Sequence, residues 1–178
     1  MCHGNVVRII FGEKDTTQVG CHGLFRSKSM AIGESIKAGH DEYRRLFAKL
    51  FKTTVKDASL REELFNDYAL RLYAHHEGEE RLLIPKMLKI PDLKDMGYEL
   101  EMEHATMKVL IKDLKTLGYD HAMWRYRLSP LYSVMKVHWD KEETQLIPFA
   151  PEYFAASALI DLGKEFDTLV EDYIKKNK

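Results

Sequence analysis

The sequence predicts an all-α protein: an antiparallel up-down-up-down four-helix bundle with an additional C-terminal helix and an irregular N-terminal leader. Two observations predict it. From residue 30 onward apolar side chains recur at intervals of three and four, the spacing of one helix face, and no strand-like run interrupts them. The connections between the helical stretches are short, which favours antiparallel neighbours. Residues 1–29 are assigned to the leader and residues 30–178 to one domain.

The composition is that of an ordinary globular protein. Of the 178 residues, 45% are hydrophobic and 31% are charged. The net charge of -1 provides no electrostatic attraction for nucleic acid or an anionic membrane, and no apolar run approaches the roughly 20 residues that span a bilayer. The two cysteines, Cys2 and Cys21, form no disulfide framework, which fits a reducing compartment, so we predict a cytoplasmic location.

The leader differs from the rest of the chain because glycines punctuate it and because Val6–Phe11 is its one strand-like run. Its two Cys-His-Gly tripeptides offer thiolates and imidazoles to a zinc ion. The close ligand spacings that are usual in zinc sites are absent, however. We therefore interpret the leader as a poorly ordered arm.

The periodicity predicts helices at about residues 31–51, 60–87, 91–117, 120–148 and 152–175. Gly118 follows the third helix and stops it. Pro85 bends or terminates the second helix near its end, Pro130 kinks the fourth, and Pro148 ends it. The fifth helix is expected to cover the other four.

Two stretches share the pattern H-x-x-x-E-E-x-x-L-I-P, at residues 75–85 and 138–148. A histidine and a glutamate four residues apart lie on one helix face, which is metal-ligand spacing. A lone histidine on an apolar face precedes each stretch by 34 or 35 residues. Each half of this repeat presents two imidazoles and one carboxylate to a common centre, which predicts a two-metal site. The candidate ligands are His40, His75, Glu79, His104, His138 and Glu142.

The ligand register of the second helix is ambiguous in the sequence, because His76 and Glu80 are also four residues apart. Aligning the two L-I-P endings pairs His75 with His138 and leaves His76 opposite Trp139, which is no ligand. We therefore favour His75 and Glu79 as ligands and expect His76 and Glu80 to be their neighbours. Whether either neighbour also contacts the metals stays open, as does the assignment of histidines to individual metals.

The donor set favours iron. Imidazole suits iron, copper and zinc, whereas carboxylates favour harder ions, so a mixed nitrogen and oxygen set with room for further ligands is typical of non-haem iron. A ferritin-like di-iron site is a weaker hypothesis, because it needs two Glu-x-x-His motifs and only Glu101–His104 supplies one. Beside the ligands, we expect Glu103 to be solvated, like Glu101, and Lys108 to lie at the surface.

The order H, H-x-x-x-E, H, H-x-x-x-E resembles the hemerythrin-like, HHE-type cation-binding proteins, over about residues 31–150. It is most similar to the di-iron branch that includes the iron–sulfur repair proteins. The resemblance implies two iron ions bridged by Glu79 and Glu142 and by an oxo or hydroxo group. The oxygen-carrying hemerythrins have a second histidine where this chain has Lys108, and an H-x-x-x-x-D arrangement on the fourth helix. These departures disfavour simple reversible oxygen carriage.

The leading functional hypothesis is a non-haem di-iron protein that binds and reacts with dioxygen, peroxide or nitric oxide. One alternative is a di-iron oxygenase or oxidase that acts on an organic substrate, which needs an apolar pocket beside the metals. Another is an iron or oxygen sensor or store without turnover, in which metal binding contributes folding free energy. The sequence identifies no electron donor.

Overall fold

The computed structural model describes residues 30–178, and within this range the secondary structure is helical, without a strand. The α-helices are α1 Ile32–Leu50, α2 Ala58–Gly78, α3 Ile84–Met87, α4 Pro91–Leu117, α5 Trp124–Lys141, α6 Ala150–Tyr153 and α7 Ala156–Asn177. A short 3-10 turn, Val55–Asp57, precedes α2. The all-α prediction is confirmed. The leader and its strand-like run lie outside the described residues, and the antiparallel order of the helices stays a prediction.

Helix boundaries differ most from the prediction in the last third of the chain. The fourth predicted helix starts at Trp124 rather than near Asp120, because a turn at residues 118–123 follows α4. Gly118 ends α4 as predicted, with a φ of 86° that suits glycine. Beyond Pro148 the short helix α6 precedes α7, so the covering helix begins at Ala156.

Two π-helical segments, Glu79–Leu83 and Glu142–Leu146, were not predicted. In the first the N–H of Ile84 donates to the carbonyl of Glu79, five residues back, and in the second the N–H of Ile147 donates to the carbonyl of Glu142 at 2.8 Å. A proline, which has no N–H for the α-helical pattern, follows two residues after each segment. Both wide turns therefore begin at a predicted glutamate ligand, which agrees with the frequent use of π-turns at functional sites.

The buried apolar residues form two clusters with a polar layer between them. The larger cluster includes Phe47 of α1, Phe65 and Leu72 of α2, Met107 of α4 and Met135 of α5. The smaller cluster includes Ile36 of α1, Leu83 and Leu146 of the π-segments, Leu100 of α4 and Phe166 of α7. On α4, His104 lies between Leu100 and Met107, so the predicted ligands occupy the layer that separates the two clusters.

Helix α7 packs against α1 and α2 and closes that side of the molecule. Its Gly163 lies directly on the start of α1, where a Cβ would be 2.2 Å from the carbonyl oxygen of Met30. In the part of the chain that the structure describes, no helix is long and apolar enough to cross a membrane.

Gly163→Ala should destabilise the protein by about 1–3 kcal/mol, because the added methyl group meets backbone atoms that move only if α7 separates from α1. Thermal unfolding of the variant measures this loss of stability. Gly97→Ala is the matched control: its Cβ would meet the tip of the Leu88 side chain at 2.9 Å, which can rotate away. Alanine also favours a helix by about 1 kcal/mol over glycine, so the control should be neutral or stabilising. Equal effects of the two substitutions would contradict the close packing of α7 on α1.

Candidate metal centre

The structure brings the six predicted ligands together in the buried polar layer, each no more than 2% exposed. They form two overlapping groups that share Glu79. The first group is His40, His75, Glu79 and Glu142, and the second is His76, Glu79, His104 and His138. Within each group one ligand atom per residue lies within 4.8 Å of the others, which is a spacing that a single metal ion can bridge.

His76 is the residue that the sequence reasoning left out. It is 1% exposed, and its ring stacks on that of His104 with centroids 3.7 Å apart. Both of its ring nitrogens are buried without a hydrogen-bond partner among the described residues. Adjacent histidines point about 100° apart around a helix, so His75 faces one group while His76 faces the other. The repeat alignment missed this because its other half has Trp139 at that position, where the indole packs 5.9 Å from His40.

The donor atoms face one another at short distances. Nε2 of His40 lies 3.0 Å from Oε2 of Glu142, and Nε2 of His104 lies 3.2 Å from Oε2 of Glu79. Ten nitrogen and oxygen atoms of the two groups are nonetheless buried without a hydrogen bond to any residue that the structure describes. Each unpaired polar atom costs on the order of 1–3 kcal/mol, and metal ions are what an inward-facing set of imidazole nitrogens and carboxylate oxygens satisfies. The residues therefore fit two cations.

Carboxylates hold the outer nitrogens of two histidines in a crosswise pattern. Nδ1 of His40 lies 2.9 Å from Oε1 of Glu143, which also accepts from Arg44 at 2.7 Å. In the other half Nδ1 of His104 lies 3.0 Å from Oε1 of Glu80, which accepts from Lys108 at 2.8 Å. A carboxylate only accepts, so each Nδ1 donates a proton, and each Nε2 can direct its lone pair inward once the imidazole is neutral.

The residues that make these contacts occupy equivalent positions in the two halves of the sequence repeat. Arg44 and Lys108 each follow their histidine by four residues, and each carboxylate comes from the opposite half. Glu80 is thus a neighbour of the ligands, as predicted, and Lys108 is 44% exposed at the side chain, as expected.

The halves differ at the residue before each lone histidine. Glu103 accepts from Nδ1 of His138 at 3.0 Å and from Lys141 at 2.6 Å. Its side chain is only 18% exposed, so the prediction that Glu103 is solvated is wrong, since a contact between helices is invisible to spacing along one helix. The equivalent residue in the first half is Gly39, where a Cβ would lie 2.7 Å from Nδ1 of His75. A cavity of about 220 Å³ lies there and ends on His75.

Burial and mutual repulsion shift the pKa values of the centre. Burial, together with the charge of Glu79, raises the pKa of Glu142 to about 8. Burial lowers the pKa of His104, but close contacts with Glu79 and Glu80 outweigh it and raise this pKa to about 9. Burial lowers the pKa of His76 well below its usual value. Without metal, the centre therefore holds protons on Glu142 and His104 at neutral pH.

The aromatic residues near the ligands pack in the core. Tyr43 lies edge-on to His75 at 5.4 Å and donates to the carbonyl of Arg71 at 3.0 Å. Tyr68 and Trp139 are buried in the larger cluster, and Tyr73 is partly buried against it.

Glu103→Ala should weaken metal binding by about 10–100-fold, because His138 loses the acceptor that fixes its orientation. Competition with a chelator of known affinity measures this loss. Glu101→Ala removes an exposed glutamate two residues earlier on the same helix and should leave affinity unchanged. An equal loss in both variants would mean that Glu103 acts only through its charge.

Metal binding should release protons, and the apparent affinity should rise between about pH 7 and pH 9. Glu142, with a pKa of about 8, and His104, with a pKa of about 9, must both lose a proton before they bind a cation. Isothermal titration calorimetry at pH 7, in buffers of different ionisation enthalpy, counts the released protons. Binding that is independent of pH over this range would contradict the proton positions.

The comparisons with known proteins agree with this geometry. The family model described as hemerythrin HHE cation binding domain matches residues 31–150, a range that contains both ligand groups. No curated protein and no solved structure matches the chain. The match covers two thirds of the sequence, and it spans all seven buried histidines and glutamates of the centre. The chain therefore belongs to the hemerythrin HHE cation-binding domain family.

Proposed function

We propose that the protein is a non-haem di-iron protein of antiparallel four-helix bundle form that binds and reacts with a small oxidant or diatomic molecule. The observation that carries this proposal is the pair of overlapping ligand groups joined by Glu79. A shared carboxylate between two sets of imidazoles suits two ions held side by side, and the mixed nitrogen and oxygen donors suit iron. When bound, iron would supply reversible ligand binding and electron transfer to that ligand.

In this proposal the two positions differ in their protein ligands. His76, His104 and His138 serve one ion with Glu79, whereas His40 and His75 serve the other with Glu79 and Glu142. The second ion has fewer imidazoles, so it is the position at which an exogenous molecule binds. The proposed set is thus the six residues predicted from the sequence with His76 added. We propose Glu142 as a second bridge, because its Oε2 lies 3.0 Å from Nε2 of His40 and 3.6 Å from Nε2 of His138.

The sensor or store is a second candidate, supported by the ten unpaired atoms of the centre. Filling them with cations would stabilise the fold strongly, so metal loss would be transmitted as a loss of structure. Turnover separates the two functions: a sensor loses helicity on iron removal and consumes no oxidant. The oxygenase hypothesis requires an open apolar pocket that reaches the metals, whereas none of the candidate ligands lines the apolar cavity beside α1 and α7.

Measurements of the iron content and of the absorption spectrum test the di-iron proposal. Protein loaded anaerobically should contain about two irons per chain and, after oxidation, should show the charge-transfer absorption of an oxo-bridged ferric pair. The reduced protein should consume dioxygen, peroxide or nitric oxide. One zinc ion per chain without visible absorption would overturn the di-iron proposal, and an unreactive iron pair would favour the sensor.

The iron content of the His76→Ala variant tests whether His76 is a metal ligand. If His76 is a ligand, the variant should retain about one iron per chain, because all four residues of the first group, which does not include His76, remain in place. His121→Ala removes an exposed histidine outside the centre and should retain the full content. Full iron content in both variants would return the ligand set to the six residues predicted from the sequence.

A further inference from the structure

An apolar cavity of about 340 Å³ lies in the smaller cluster, between the start of α1, the π-segments, α6 and α7. Its lining is almost entirely aliphatic, with Ile32, Ile36, Leu83, Leu146 and Leu159 among the buried side chains. Glu34 is the one charged residue that lines it, and this side chain is exposed at the mouth. The buried side chains that line the cavity therefore offer no charged or hydrogen-bonding group to a molecule in its interior.

The inner wall of this cavity adjoins one ligand group. We name Ile36, Leu83 and Leu146 the aliphatic wall. Each is at most 3% exposed, and each lies four residues from a candidate ligand on the same helical run. The three ligands are His40, Glu79 and Glu142, which all belong to the group with fewer imidazoles. None of the candidate ligands lines the cavity itself, so one layer of side chains separates its interior from the centre.

From this we propose that the cavity is the access route for an uncharged apolar diatomic molecule, dioxygen or nitric oxide, to the position held by His40, His75, Glu79 and Glu142. This inference rests on the proposed function. Of the three ligands considered there, it keeps the apolar molecules dioxygen and nitric oxide and excludes peroxide. Such a molecule enters an aliphatic cavity without losing hydrogen bonds and crosses a single layer of side chains as these rotate. Peroxide must give up its hydrogen bonds to water on the same path, which costs several kcal/mol.

The cavity beside Gly39 is the competing route, and its geometry argues against it. It ends on the outer side of the His75 ring, where Nδ1 faces Gly39, whereas Nε2 is the nitrogen that faces Glu79 at 3.2 Å. A molecule in that cavity meets the back of the imidazole rather than the metal position. Its rim also carries Glu42, Arg71 and Asp167, which suit water and polar solutes.

Ile160→Trp tests the proposal by filling the mouth of the apolar cavity. Ile160 lines the cavity and is 37% exposed, so a larger ring fits there without displacing the core. In full-length, iron-loaded, reduced protein, stopped-flow measurement should show nitric oxide binding slowed about five-fold, while the reaction with hydrogen peroxide changes less than about two-fold. Asp161→Trp, an exposed neighbour outside the cavity, should change neither rate. Ala38→Trp, which obstructs the cavity beside Gly39, should leave nitric oxide binding unchanged.

Xenon binding to the metal-free protein provides a readout that does not depend on iron. The ¹²⁹Xe resonance should shift in the presence of wild-type protein and of Asp161→Trp, and the shift should be reduced in Ile160→Trp. Unchanged nitric oxide binding in Ile160→Trp, slowing in Ala38→Trp instead, equal slowing of peroxide, or absence of xenon binding would each overturn the proposed route. Failure to load iron would overturn the proposed function instead, and the xenon measurement would still report on the cavity.

Discussion

The burial, between two apolar clusters, of ten nitrogen and oxygen atoms that have no hydrogen-bond partner within residues 30–178 is the constraint on which the rest of this structure depends. Each atom of this layer that stays unpaired costs about 1–3 kcal/mol, and bound cations would remove that cost. The larger and smaller clusters supply the apolar burial that holds the helices around this layer. The π-turns that begin at Glu79 and Glu142 place both carboxylates within it. The fold therefore gathers a donor set that is costly without metal and favourable with it.

The two halves of the chain support the donor set crosswise. Glu143, from the second half, orients His40, and Glu80, from the first half, orients His104. Each glutamate also accepts from a basic side chain on the helix that carries the histidine, Arg44 for Glu143 and Lys108 for Glu80. Separation of the halves would break both contacts at once. The orientation of the inward nitrogens is thus coupled to the packing of the halves against each other. A carboxylate at Nδ1 also raises the basicity of the imidazole, which strengthens its inward lone pair as a donor.

The sequence predicted what depends on periodicity and could not predict what depends on contacts between helices. His40 and His104 were identified because buried positions recur every three or four residues, and the H-x-x-x-E spacing identified Glu79 and Glu142. The π-turns had one available signal, the proline that follows each motif, which was interpreted only as a helix end. His76 was visible as the second histidine of a pair, but the repeat alignment placed Trp139 opposite it. The role of Glu103 had no signal along its own helix, because its partners lie on α5.

The departures from the repeat make the two ligand groups unequal. The family match ends at residue 150, yet α7, beyond it, places the ring of Phe166 5.2 Å from that of His75. Gly78 permits this contact, since a Cβ there would lie 2.6 Å from the Phe166 ring.

His138 is oriented by a carboxylate, whereas His75 is held by the packing of Phe166 and by the close approach of Gly39. His75 therefore lacks the carboxylate partner that fixes the orientation of His138. The group that contains it also has fewer imidazoles and adjoins the apolar cavity. These three differences fall on the same group, so in the proposed di-iron centre the group of His40 and His75 is the one suited to an exchangeable ligand.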